Sequence, residues 1–175
     1  MKRTIALLSL LCSTFFALSG YAQDNGSKRK IPASKIKDLK GAEINTETLS
    51  NNGKPMVISF WATWCKPCVN ELSAIAETYE DWQAETGVKI VAVSIDDARN
   101  VAKVGPMINT KGWEYQVLTD QNGDFKRVMN VNTVPHTFLI DGEGNIVWQH
   151  NAYAPGDEKE LYEKIKKLSK GESIQ

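Results

Sequence analysis

The sequence has few of the side chains that most often hold metals or staple small domains. Among its 175 residues there are 3 cysteines and 2 histidines. The histidines, His136 and His150, are separated by thirteen residues, which does not fit the short histidine spacing of a common Cys₂His₂ zinc site. We therefore predict no metal site and no other cofactor, and keep a copper-binding chaperone as the alternative from a different functional class.

The chain also lacks an excess of charge of either sign. It has 21 lysines and arginines against 21 aspartates and glutamates. Lys2 and Arg3 lie within the first 22 residues, which contain no acidic residue, so the rest of the chain carries a net charge of −2. This balance argues against a nucleic-acid partner, and the length and the 42% hydrophobic content fit one globular domain.

No apolar run is long enough to cross a bilayer comfortably. The longest run, residues 5–18, is shorter than the ~20 residues that a spanning helix needs. It follows Lys2 and Arg3 and precedes small residues that end at Ala22, which predicts a secretory signal peptide over residues 1–22. We expect an exported, periplasmic protein, and an uncleaved membrane anchor is the alternative. Cys12 lies inside the run and would be lost with it.

Residues 23–40 are polar and mostly basic. This composition predicts a flexible linker, in preference to a specific binding arm. The folded domain would then occupy residues 41–175.

Two cysteines remain, in the motif Cys65-Lys66-Pro67-Cys68. An apolar run at residues 55–61 predicts a buried strand over residues 56–61 before the motif, and a helical pattern follows it. Unpaired N–H groups at a helix start stabilise a thiolate, and in such C-x-x-C settings the first thiol's pKa falls from about 8.5 to roughly 3.5–7.5. A disulfide here would close only a very short loop, so redox chemistry is favoured over stapling. We interpret Cys65 as the attacking thiol and Cys68 as the resolving thiol.

Strands and helices alternate in the early part of the chain, and a hairpin and a helix end it. Further strands are predicted at residues 44–49, 88–95, 115–118, 137–140 and 146–149, and helices at 66–86, 96–108, 124–130 and 157–168. Gly105-Pro106 is expected to interrupt or end the second of these helices, because proline lacks the N–H and clashes with the preceding turn. This order predicts an α/β protein with a central mixed β-sheet flanked by helices. With C-x-x-C directly after a strand, it indicates a thioredoxin-like fold.

Residues 60–68 and 134–141, with the turn at 142–146, resemble the exported TlpA/ResA-like thiol-disulfide oxidoreductases. The resemblance covers residues 44–168. It implies a protein that reduces disulfides in client proteins, such as apocytochrome c, and is re-reduced by a membrane thiol donor. We expect the protein to be a monomer. An oxidase or isomerase of the same fold is the alternative, because Lys66-Pro67 does not determine the redox potential.

Resolution of a mixed disulfide needs a proton acceptor for Cys68. Thioredoxins are similar to one another in having a buried acid six residues before the first cysteine, but here that position is Ser59. Glu71, three residues after Cys68, lies on the same side of the predicted helix, and TlpA/ResA-like proteins carry an acid there. We predict that Glu71 is the acceptor; the alternative is an exposed glutamate favoured by the helix dipole.

The remaining predicted site residues concern client binding. Trp64 would offer a flat surface beside Cys65. The family resemblance implies a cis peptide bond at Pro135, opposite the cysteines, which would leave the backbone of Val134 free to pair with an extended client segment. His136 has two open interpretations, a role in the site or simply the first exposed residue of a strand.

Overall fold

The computed structural model describes residues 29–174. The predicted signal peptide and the first part of the predicted linker lie outside these residues. Between residues 29 and 174, no helix is both long enough and apolar enough to cross a membrane.

The described chain contains seven strands and five helices. The strands are β1 Lys35–Asp38, β2 Glu43–Asn45, β3 Met56–Trp61, β4 Lys89–Ser94, β5 Gln116–Thr119, β6 His136–Ile140 and β7 Ile146–Asn151. The helices are α1 Lys66–Ala76, α2 Tyr79–Thr86, α3 Val104–Lys111, α4 Asp124–Val128 and α5 Asp157–Ser169. Single 3₁₀ turns cover Thr46–Thr48 and Val101–Lys103.

The strands form one mixed sheet in the order β2-β1-β5-β4-β3-β6-β7. Strand β3 runs parallel to β4 and β4 parallel to β5, while the other neighbouring pairs are antiparallel. All six residues of β3 are buried because apolar side chains cover both faces of the sheet. The predicted α/β fold with a central mixed sheet is confirmed. Strand β3 lies inside the sheet, and the C-x-x-C motif follows its carboxyl end.

The apolar side chains form two cores on opposite faces of the sheet. Leu72 and Ile75 of α1 pack in the core that also contains both cysteines. Phe60, Phe125 and Phe138 pack in the other core, where the Phe60 ring lies 5.2 Å from that of Phe125 and 5.9 Å from that of Phe138. Adjacent residues of one strand therefore serve different cores, and only one of these cores contains the cysteine pair.

Residues 29–40 are not the flexible linker that their basic composition predicts. Ile31 and Ile36 are buried in the core opposite the cysteines, and the lysines around them are exposed. Strand β1 pairs with both β2 and β5, and the Ile31 N–H donates to the Gly144 carbonyl. Two buried isoleucines and the backbone pairing of β1 therefore anchor this basic stretch, while its lysine side chains remain in water.

Two helix predictions were wrong in extent. The helix predicted over residues 66–86 is divided at Glu77 and Thr78, where the Thr78 backbone leaves helical geometry. The helix predicted from residue 96 begins only at Val104, because Asp97 uses its carboxylate to bind Arg99 and Asn100 in a turn. The predicted interruption at Gly105-Pro106 is also wrong, because Pro106 lies in the first turn of α3, where a backbone N–H has no helical partner.

Candidate active site

Cys65 and Cys68 are joined in a disulfide at the start of α1, with their Cα atoms 5.3 Å apart. Cys65 is the N-cap residue, and its Sγ accepts a hydrogen bond of 3.3 Å from the Cys68 N–H. Cys65 is 5% exposed, whereas Cys68 is fully buried. On reduction, the same N–H and the helix dipole would stabilise negative charge on Cys65, the sulfur closer to solvent.

A buried aspartate holds the segment that leads into this disulfide. Asp96, just beyond the end of β4, accepts hydrogen bonds from the Thr63 N–H at 2.8 Å and from the Thr63 hydroxyl at 2.6 Å. It also accepts one from the Ser94 hydroxyl at 2.8 Å. Because Thr63 lies two residues before Cys65, Asp96 ties the position of the cysteine loop to the end of the neighbouring strand.

The Val134–Pro135 peptide bond is cis, as the family resemblance implies. It faces the disulfide: Cys65 Sγ lies 3.7 Å from the Val134 carbonyl oxygen. In the oxidised protein Cys65 has no S–H proton, so this is a packing contact rather than a hydrogen bond. Trp64 is 63% exposed beside Cys65. The predicted site residues Trp64, Cys65, Val134 and Pro135 are thus brought to one surface.

Glu71 lies beneath that surface and is 4% exposed, so the interpretation as an exposed glutamate is wrong. Its Oε1 accepts a hydrogen bond of 2.7 Å from the Thr137 hydroxyl, whose oxygen is also 3.1 Å from the Ser59 hydroxyl. Its Oε2 is buried and has no hydrogen-bond partner among residues 29–174. Glu71 lies one turn after Cys68 on α1, and both side chains are buried.

Burial raises the pKa of Glu71 to about 7, and the hydrogen bond from Thr137 opposes this rise. The negative charges of Asp157 and Glu158, in the first turn of α5, act in the same direction as burial. A carboxyl group with this pKa can both accept and release a proton near neutral pH. Its arrangement suits the transfer of a proton to or from a nearby thiol.

His136 is buried rather than exposed, so the interpretation as an exposed strand residue is wrong. Its ring stacks on Phe138 with the ring centres 4.2 Å apart. This contact places it with the phenylalanine core, on the face of the sheet opposite Glu71. Desolvation lowers the pKa of its imidazole. Its place in the fold therefore gives it a packing role away from the cysteine pair.

Thr137 and Asp96 are part of the site, yet sequence reasoning missed both. Thr137 is 66 residues from Glu71 in sequence, and Asp96 is 33 residues from Thr63. Thr137 reaches the site because β6 pairs with β3, and Asp96 reaches it because β4 ends beside the end of β3. The position of Thr137 two residues after Pro135 was the one available signal.

The structure also bears on metal binding. Within residues 29–174, no group of three or more histidine, cysteine, aspartate or glutamate side chains is arranged to hold a metal ion.

A C-x-x-C disulfide at the start of a helix in this fold defines a thioredoxin-like thiol-disulfide oxidoreductase. The chain belongs to the AhpC/TSA family, whose pattern it matches over residues 28–149.

Curated relatives of this chain are themselves thiol-disulfide oxidoreductases. The chain is 32% identical to the thiol-disulfide oxidoreductase ResA of Bacillus thuringiensis strain Al Hakam, over 84% of each chain. It is 33% identical to the thiol:disulfide interchange protein DsbE of Tatumella citrea, over 81% of this chain and 76% of that protein. The predicted family resemblance is confirmed.

A solved structure extends the comparison to the fold. A thioredoxin-like protein from Porphyromonas gingivalis is 53% identical, with a TM-score of 0.73 over 80% of this chain and 92% of that chain. The predicted thioredoxin-like fold is confirmed.

Proposed function

We propose that this protein is an exported disulfide reductase that transfers two electrons from its Cys65–Cys68 dithiol to a disulfide in a client protein. The observation that carries the proposal is the position of the pair. Cys65 caps a helix start opposite cis-Pro135 and is the more exposed of the two cysteines, and a buried Glu71 with a near-neutral pKa lies one turn beyond Cys68. Apocytochrome c, with its own cysteine pair, is the proposed client.

The reaction proceeds in two exchanges. The Cys65 thiolate attacks one client sulfur, forms a mixed disulfide and releases the other client sulfur as a thiolate. Cys68 then gives its proton to Glu71 and attacks Cys65 Sγ, which forms the intramolecular disulfide and releases the second client thiolate. The two client thiolates take up protons, one of them returned by Glu71. The client gains two electrons, and a membrane dithiol restores the reduced enzyme by the reverse exchange.

The surface around Cys65 supports docking of an extended client segment. The backbone of Val134 offers an edge for main-chain hydrogen bonds, and the exposed indole of Trp64 offers an apolar contact. Export is supported by the sequence pattern of residues 1–22. We propose that the protein acts as a monomer in the periplasm, and that an uncleaved N-terminal segment would instead keep it at the membrane.

The test measures the reduction potential of the Cys65–Cys68 pair together with the reduction of a protein disulfide. A potential of about −270 mV with rapid reduction of the client supports the reductase. A potential of about −120 mV would identify an oxidant and overturn the proposed transfer of electrons from the protein to its client. In a Cys68→Ser variant, Cys65 should remain in a mixed disulfide with the client. A Cys65→Ser variant is the matched control and should trap none.

A further inference from the structure

The hydroxyl group of Thr137 connects two strands to the carboxyl group of Glu71. Thr137 lies directly opposite Ser59 in the antiparallel pair of β3 and β6. Its Oγ1 is 2.7 Å from Glu71 Oε1 and 3.1 Å from Ser59 Oγ, and all three side chains are buried. The three groups therefore form a continuous chain of hydrogen bonds between buried side chains.

The protons of this chain can point in only one direction while Glu71 is ionised. A threonine hydroxyl has one proton to donate, and an ionised carboxylate only accepts. Thr137 must then donate to Glu71 Oε1, and the Ser59 hydroxyl donates to Thr137. When Oε2 takes a proton, Oε1 remains an acceptor and the direction of both hydrogen bonds is kept. The chain therefore holds Oε1 in either protonation state of Glu71.

The other carboxyl oxygen has no such support. Glu71 Oε2 is buried and has no hydrogen-bond partner in the part of the chain that the structure describes, although a buried carboxylate oxygen is costly to leave unpaired. Because Oε1 is held by Thr137, Oε2 is the oxygen that remains able to take a proton. Cys68 lies one turn away on the same helix, in the same core as Leu72.

We propose that Thr137, supported by Ser59, is a positioning residue for disulfide exchange: it holds Oε1 of Glu71 and leaves Oε2 to exchange a proton with Cys68. This inference rests on the proposed function of Glu71. The proposal also gives Ser59 a role. Ser59 occupies the position on β3 where thioredoxins carry a buried acid, and through Thr137 it connects β3 to the carboxyl group of Glu71 on α1.

Several other groups influence the same carboxyl group. Asp157 and Glu158 on α5 favour its protonated form, and its charge also acts on the hydroxyl groups of Tyr115 and Tyr153. Among these neighbours, Thr137 opposes the rise in the pKa of Glu71. Its removal should therefore move the ionisation of Glu71 to higher pH, which is the direction opposite to that expected from the loss of Asp157 or Glu158.

The test compares Thr137→Val, which removes the hydroxyl at similar volume, with Thr137→Ser, which retains it. Each variant is reduced, loaded through Cys65 with a small aromatic disulfide, and followed by stopped-flow absorbance as Cys68 releases the aromatic thiol. In Thr137→Val the midpoint of the pH–rate profile should rise by about one pH unit, with a rate about tenfold lower below the midpoint and recovery above it. Thr137→Ser should retain the wild-type midpoint.

Two further measurements separate positioning from general damage. In a Glu71→Gln background, Thr137→Val should cause no additional shift, because the group whose ionisation it changes is absent. The Glu71 carboxyl carbon, followed by ¹³C NMR in the oxidised protein, should titrate at higher pH in Thr137→Val than in wild type. If Thr137→Val does not fold, Ser59→Ala serves in its place and should move the same midpoint upward by a smaller amount.

An unchanged midpoint in Thr137→Val, or an equal shift in the Glu71→Gln background, would overturn the role of Thr137. These results differ from failure of the proposed function, in which wild-type Cys68 would not release the aromatic thiol at any pH. The NMR titration does not depend on exchange activity and decides the Thr137–Glu71 connection in that case as well.

Discussion

Glu71 is a carboxyl group held where its neutral form is favoured. Its pKa in the folded protein is about 7, against 4.5 for an unperturbed glutamate, chiefly because burial disfavours the charge. Between these two values the folded protein binds more protons than the unfolded chain. Stability contributed by the neutral carboxyl group is therefore present at low pH and is lost as the pH rises toward 7.

The substitution Glu71→Gln should remove this dependence while keeping an oxygen that accepts the Thr137 hydrogen bond. At pH 4 the free energies of unfolding of the two oxidised proteins should be similar. At pH 8 the variant should be more stable by about 3 kcal/mol, because the wild type must keep a buried charge. Urea unfolding at a series of pH values measures the difference.

Glu77 provides a matched control because it is an exposed glutamate just after the end of α1. Glu77→Gln should leave the pH dependence of unfolding unchanged. The free energy of unfolding of Glu71→Gln could instead differ from that of the wild type by the same amount at every pH from 4 to 8. The Glu71 carboxyl group would then not titrate in the range that proton transfer from Cys68 requires.

Individual residues of the site differed in how readily the sequence revealed them. Cys65 and Cys68 are recognisable from spacing alone, and Glu71 from its helical offset together with the family resemblance. Thr137 and Asp96 could not be found in this way, because their roles depend on the register of distant strands. His136 illustrates the same limit, since only the sheet determines which core its ring enters.

At the scale of elements, continuous apolar runs were the most reliable signal. Strand β3 was predicted to the correct residues because it is covered on both faces and reads as one apolar block. The division between α1 and α2 was missed because apolar residues continue across Glu77 and Thr78. A tertiary contact accompanies this break: the Tyr115 hydroxyl donates to the Leu72 carbonyl within α1. No local pattern in the helix indicates such a partner.

The connection between β4 and the cysteine loop depends on Asp96. The substitution Asp96→Ala would leave the Thr63 N–H and two hydroxyl groups without their acceptor. We expect a loss of about 3 kcal/mol in the free energy of unfolding, since buried unpaired donors cost about 1–3 kcal/mol each and some will find water. The rate of mixed-disulfide formation should also fall, because Thr63 no longer fixes the approach to Cys65.

The neighbouring Asp97 is the natural comparison. Its side chain is 42% exposed and binds Arg99 at 2.8 Å at the surface, so Asp97→Ala should cost less than about 1 kcal/mol. Chemical denaturation of both variants at pH 7 measures the contrast. Equal losses would show that Asp96 contributes no more than a surface aspartate and that the cysteine loop is held by other contacts.

At the scale of the whole molecule, the sheet separates chemistry from structural support. The cysteine pair and Glu71 lie on one face, and the phenylalanine core that buries Ile31 and Ile36 lies on the other. The composition of residues 29–40 gave a wrong prediction, because a count of charged residues does not show which side chains pack in a core. Oxidation or reduction of the cysteines therefore changes the covalent structure within one core. Because the two cores share one sheet, this change affects the stability of the whole domain.

Redox state and folding stability are consequently coupled, and the sign of the coupling depends on the direction of catalysis. A dithiol that reduces clients must itself favour the disulfide, whereas a strong oxidant has a stabilised reduced form. The short loop closed by the disulfide contributes about 2 kcal/mol through the entropy of the unfolded chain. We expect the oxidised protein to exceed the reduced protein in free energy of unfolding by at least about this amount.

Urea unfolding with and without a phosphine reductant measures the difference, and a Cys65→Ser/Cys68→Ser variant controls for the reductant itself. Greater stability of the reduced protein would instead mean that folding favours the dithiol, and the same site would then serve to oxidise its clients.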